Sequence, residues 1–132
     1  MFSRLVQFSR KLYVPLSWTI FTQLLLSIPG SFFEGSGLFH IPNLDKIAHV
    51  GLFGGLALFW NLFFYHRNQT GNNSTPWSIL LLIGLYGVAV EFFQFYCIPR
   101  RSFDVGDIVA DIIGAMCGYF ATILILRIAA NR

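Results

Sequence analysis

Charge is what this sequence has least of. Charged side chains make up 11% of the 132 residues, less than half of the roughly 25% in a soluble domain. So few leave a folded monomer of this size without a polar coat. The same scarcity excludes a disordered chain and a nucleic-acid-binding module. Cysteine is nearly absent too: Cys97 and Cys117 both lie in apolar stretches and imply no disulfide framework. No Cys/His zinc spacing, phosphate loop or Ser-His-Asp arrangement is present, so no cofactor is called for. What the sequence does have is apolar mass, 55% of its residues. The expected solvent is a bilayer, and the expected fold an all-α bundle of transmembrane helices in a single domain, 1–132.

Four spans are expected, at about 12–30, 47–65, 77–97 and 108–128. The 22 residues between Lys11 and Glu34 carry no charge, enough for the roughly 30 Å hydrocarbon core at about 1.5 Å per residue. That run is too long for a usual signal-peptide core, so a retained anchor is expected. Span two holds only His49 as an ionisable group, and the polar stretch Asn68–Pro76 reads as a turn. After Pro76 the uncharged run Trp77–Val90 is 14 residues, about 21 Å of helix and too short to cross. Glu91 must therefore lie inside span three. By the same count Asp111 falls inside span four. Carboxylates at such depth cost several kcal/mol unless paired or neutralised, which makes them functional-site hypotheses.

Basic residues set the orientation. Arg4, Arg10, Lys11, Arg67, Arg127 and Arg132 share one side with no carboxylate, whereas Lys46, Arg100 and Arg101 share the other with Glu34, Asp45, Asp104 and Asp107. The positive-inside rule then puts both termini in the cytoplasm. On that topology the loops about 31–46 and 98–107 emerge outside, together with the span ends carrying His49, Glu91 and Asp111.

Spacing gathers these residues on helix faces. Asp104, Asp107, Asp111, Gly114 and Gly118 are 3, 4, 3 and 4 residues apart, one seam of acids above a small-xxx-small pattern that lets transmembrane helices approach. Gly84, Gly87, Glu91 and Gln94 repeat the construction in span three, and Gly51-x-x-x-Gly55 follows the Asp45/His49 i, i+4 pair in span two. A polar cluster of Asp45, Lys46, His49, Glu91, Gln94, Arg100, Arg101, Asp104, Asp107 and Asp111 is expected at the outer end of the bundle.

These residues also carry a family resemblance. Glu91-Phe92-Phe93-Gln94, Arg101-Ser102-Phe103-Asp104-Val105-Gly106-Asp107 and Asp111-Ile112-Ile113-Gly114 resemble the E-x-x-Q … R-x-x-D-x-x-D-x-x-x-N-x-x-G signature of VanZ-like membrane proteins. Asp45-Lys46-Ile47-Ala48-His49 resembles that family's D-K-x-x-H at the start of its second helix. The chain departs at Asp111, where the family pattern usually has Asn, and so gains a potential charge. The resemblance implies a multi-pass protein of the bacterial inner membrane whose namesake confers teicoplanin resistance; it implies no enzymatic reaction.

Each polar residue supports a plain reading beside a functional one. Glu91 and Arg101 form a buried ion pair, or Arg101 forks onto a phosphate or carboxylate that Glu91 and the acids help position. His49 is a satisfied bundle histidine, held or capped by Asp45, or a general acid or base with Glu91. Asp104, Asp107 and Asp111 with His49 are donors for a hard cation such as Mg²⁺ or Mn²⁺. Asp104 and Asp107 also sit where a helix N-terminus takes acids, and capping is the role assigned to at least one, with no metal called for. The leading expectation is a protein that binds a membrane lipid or lipid-linked envelope precursor through Asp45, Lys46, His49, Glu91, Gln94, Arg101, Asp104, Asp107 and Asp111. Alternatives are an intramembrane acid/base enzyme on a lipid phosphate, and a helper that packs on a membrane-protein partner or a second copy through Gly84, Gly87, Gly114 and Gly118.

Overall fold

The computed structural model describes residues 11–33, 43–67 and 75–131. Over these the chain is all-α: α1 (Tyr13–Leu26), a short 3-10 turn (Gly30–Phe33), α2 (Leu44–Arg67), α3 (Thr75–Cys97) and α4 (Val105–Ala130). Arg4, Arg10, Glu34, most of the polar turn after span two, and Arg132 lie outside the described residues.

Among the described residues, three helices are long and apolar enough to cross a membrane: α2 with 24 residues, the 21-residue stretch Trp77–Cys97 of α3, and α4 with 26. At about 1.5 Å per residue each exceeds the roughly 30 Å core. The ends of α2 and α4 are charged in the sense the helix dipole favours, whereas those of α3 carry no such charge. Asp45 sits in the first turn of α2 and Arg67 in its last; Asp107 and Arg127 do the same for α4.

The first helix is shorter than the expected span at 12–30. It has 14 residues, about 21 Å, which does not cross by itself. Ser27 ends it by folding onto the preceding turn, its N–H donating to Gln23 O at 3.0 Å and its hydroxyl to the same oxygen at 2.6 Å. Pro29, two residues on, has no N–H to continue the ladder. Polar tethers join α1 to the longer helices. Trp18 Nε1–H donates to Leu52 O (2.9 Å), Trp60 Nε1–H to Thr19 Oγ1 (3.1 Å) and Tyr86 O–H to Gln23 Oε1 (2.8 Å). In hydrocarbon, where apolar burial alone does not drive association, such bonds and close packing hold helices together.

Close packing is concentrated between α2 and α4. A Cβ on Gly114 would run into the Val50 backbone, and one on Gly118 into the Gly54 carbonyl and, at 3.0 Å, the Ala57 side chain. Gly54 in turn faces the Gly114 carbonyl oxygen at 3.3 Å. In α2 the contacts fall on Gly54 and on Gly55, which lies under the Trp18 indole, while nothing approaches Gly51 within 4 Å. In α3, Gly87 faces Asp111 and Phe53, but Gly84 has nothing within 4 Å. Among the described residues, a methyl group at Gly84 would therefore meet open space. The outward faces of α3 and α4 expose Leu81, Leu82, Leu85, Met116, Phe120 and Leu124, the surface a lipid environment accommodates.

Candidate functional site

The start of α2, the end of α3 and the start of α4 meet at one end of the bundle, and the ionisable residues gather there. Alternating helix direction produces this juxtaposition. It brings Asp45, Lys46 and His49 against residues about 60 positions later in the chain.

Three ion-paired groups result. Lys46 Nζ donates to Asp104 Oδ2 at 2.6 Å and to Asp107 Oδ1 at 3.1 Å. Arg101 Nη1 donates to Asp45 Oδ2 at 2.8 Å, on the more open side of the cluster. Deeper, His49 Nδ1 lies 2.8 Å from Asp111 Oδ1, with both side chains buried. A carboxylate oxygen accepts, so Nδ1 carries the hydrogen. The His49 ring stacks nearly parallel to Phe53, which fixes its plane.

Two expected pairings are replaced. Glu91 does not meet Arg101; its Oε2 accepts the Asp104 backbone N–H at 3.1 Å, and Arg101 goes to Asp45 instead. The cause is the turn after α3, where Arg100 adopts a left-handed backbone (φ 62°) and the Arg101 N–H bonds Ile98 O at 3.3 Å. Likewise His49 takes Asp111 across the helix interface, and not Asp45 one turn before it, as its Nδ1 partner. Gln94 is buried and its Nε2–H donates to Leu26 O at 2.8 Å, securing the last turn of α1.

Asp104 is the N-cap of α4, its Oδ1 accepting the Gly106 N–H at 2.6 Å. The Lys46 ammonium, and then that N–H, hold its carboxyl below the usual carboxylate range. A group depressed in the folded state stabilises fully above its ordinary pKa and ceases to do so as pH falls through the lowered one. Thermal stability in detergent should therefore fall on the acid side. Asp104→Asn, which keeps a capping oxygen but no titrating charge, should flatten that acid dependence, whereas Asp104→Ala should lower the unfolding temperature at neutral pH as well. An acid limb unchanged in Asp104→Asn would show that the dependence arises elsewhere.

Among the described residues, four buried polar atoms of the cluster have no hydrogen-bond partner: His49 Nε2, Glu91 Oε1, Arg101 Nε and Asp111 Oδ2. Such orphans cost free energy, and native proteins keep few of them. Five carboxyl groups (Asp45, Glu91, Asp104, Asp107, Asp111) also stand against fewer full cations, Lys46 and Arg101 with Arg100 on the same turn. The cluster is thus underpaired and acidic.

The VanZ/LLP1 family model matches residues 4–127, nearly the whole chain. This chain belongs to the VanZ/LLP1 family. No curated protein and no solved structure matches it. The motifs on which the VanZ-like resemblance rested converge on the polar end, which joins segments far apart in the VanZ/LLP1 match. Residues not anticipated are Gly54, Trp18 and Tyr86. Indole and phenol groups in an apolar run do signal a need for a polar partner, but nothing in the run names that partner.

Proposed function

We propose that this VanZ-like membrane protein resides in the bacterial inner membrane with both termini cytoplasmic, and binds a lipid or lipid-linked envelope component at the polar end of its bundle. The observation that carries this reading is the concentration of buried polar atoms without a partner among the described residues, at His49, Glu91, Arg101 and Asp111, at the end where the chain turns from α3 into α4. Arg101 uses one of its five N–H donors on Asp45 and keeps donors for a headgroup oxygen. Beside it, Phe92 packs on Phe103 and Tyr96, with Phe95 against Tyr96. These exposed aromatics suit the boundary between headgroup and acyl chain.

Glu91 favours a second reading, an intramembrane acid or base, because its carboxyl is fully buried and one oxygen lacks a partner. The helper-subunit reading has less support, since Gly114 and Gly118 are occupied by α2 within the chain.

Cysteine-accessibility labelling tests the placement: a cysteine at 104 should react with an impermeant maleimide added to intact cells, and one at 67 should not. Reaction only after lysis would overturn the orientation. Function is tested by teicoplanin and vancomycin susceptibility in a sensitive Gram-positive host expressing wild type, Glu91→Gln or Arg101→Ala at matched levels. Selective teicoplanin protection lost in both variants is the expected outcome. Well-expressed wild type without protection would sink the resistance reading and leave lipid co-purification to identify a ligand.

A further inference from the structure

We propose that Asp45, His49 and Asp107 form a divalent-cation site in which Asp111 orients the histidine. One donor atom from each of the three residues lies within 4.8 Å of the others. An acidic group with a histidine is not enough by itself, because such groups are common at helix ends. The second observation is His49 Nε2, on a side chain with no solvent exposure and without a hydrogen-bond partner among the described residues. The ring's other nitrogen is already engaged by Asp111, which is outside the three-residue group. Nε2 is therefore the nitrogen available to Asp45 and Asp107.

Carboxylate–histidine–metal arrangements work in this way. A carboxylate bound to one ring nitrogen fixes the tautomer and makes the other nitrogen a better ligand. Here that carboxylate is Asp111, at 2.8 Å and as buried as the ring. Asp45 and His49 stand one helical turn apart on α2 and Asp107 enters from α4, so the ligands come from two helices in backbone contact. Asp45, half exposed, is the ligand able to move in and close the remaining gap. Two carboxylates and an imidazole suit Mn²⁺ or Zn²⁺ better than Mg²⁺ or Ca²⁺, which prefer oxygen throughout. Three protein ligands leave coordination positions open.

Every neighbouring charge has a place in this arrangement. Lys46 Nζ holds Asp107 Oδ1 at 3.1 Å and Arg101 holds Asp45 Oδ2 at 2.8 Å, leaving the second oxygen of each carboxylate for the ion. Asp104 is committed to its cap and to Lys46. Glu91 bonds the Asp104 N–H and, with Asp111, adds to the negative field that favours a cation. The site does not depend on the lipid reading, since it binds an ion whether or not a lipid is present.

The test uses the full chain in detergent micelles, with free Mn²⁺ read by electron paramagnetic resonance and Zn²⁺ as competitor. Expected are saturable uptake of one Mn²⁺ per chain, displacement by Zn²⁺, and affinity at least about tenfold lower in Asp107→Asn and in Asp45→Asn. Asp45 is exposed enough that its variant folds normally, and monodispersity with helical circular dichroism checks this for each variant. Uptake should persist when NaCl is added, because salt screens a diffuse acidic surface far more than a buried chelate. No saturable uptake by folded wild type overturns the site. So does uptake that added NaCl abolishes, which would mark a diffuse acidic surface.

Discussion

Asp111→Ala is expected to remove about 3–5 kcal/mol of stability, the cost of breaking a buried pair and leaving one partner uncompensated. His49 has nowhere else to turn. Its ring is sealed from solvent, its plane lies nearly parallel to Phe53, and Nε2 lacks a partner among the described residues. His49→Leu should be costly for the reciprocal reason, since Asp111 already carries one oxygen without a hydrogen bond. The informative variant is the double one. Once both polar groups are gone no orphan remains, so His49→Leu/Asp111→Ala should lose less than the sum of the singles, by a coupling of about 0.5–3 kcal/mol. Reversible unfolding in mixed micelles measures all four corners. Strictly additive losses would show that the two side chains do not stabilise each other.

The second large effect belongs to residues with no side chain. Gly114→Ala and Gly118→Ala each place a methyl group against α2 backbone, at Val50 and at Gly54. Backbone cannot rotate aside as a side chain can, so the helices must separate. Overpacking in a tight core costs about 1–3 kcal/mol, and these two positions should lie at or above the upper end. Gly84→Ala and Gly51→Ala are the matched controls. Nothing stands within 4 Å of either position, and alanine is the better helix former by about 1 kcal/mol, so both should be neutral or stabilising. If all four variants unfolded alike, the α2–α4 approach described above would be wrong.

The helices were legible because hydropathy and charge fix where a chain can enter hydrocarbon, and Glu91 and Asp111 could be placed inside by length alone. The α4 seam was legible for a related reason: 3- and 4-residue spacing states which residues share a face. Spacing says nothing about the face opposite. Asp45 and His49 read as a pair at i, i+4, yet each turns to another helix, to Arg101 and Asp111. Glu91 and Arg101 read as a salt bridge from charge and proximity, but the left-handed Arg100 redirects the next side chain. Gly51-x-x-x-Gly55 has the right pattern for a contact that falls instead on Gly54 and Gly55, because the register of α2 on α4 is set jointly by both helices. The first helix was overestimated, since the absence of charge over 12–30 marks where apolar chain can lie and not where its hydrogen-bond ladder stops.

The interlocked glycines of α2 and α4 also constrain motion. Two helices separated by side chains can slide by a turn, trading one set of contacts for another. Here Gly114 and Gly118 sit against Val50 and Gly54 backbone, and a slide of one turn would bring Thr122 against Gly54 or Ala110 against Val50. The α2–α4 pair therefore behaves as a rigid strut carrying His49, Asp107 and Asp111 at fixed separation. Movement of whole helices is thereby left to α1 and α3, which the hydrogen bonds of Trp18, Tyr86 and Gln94 tie into the bundle.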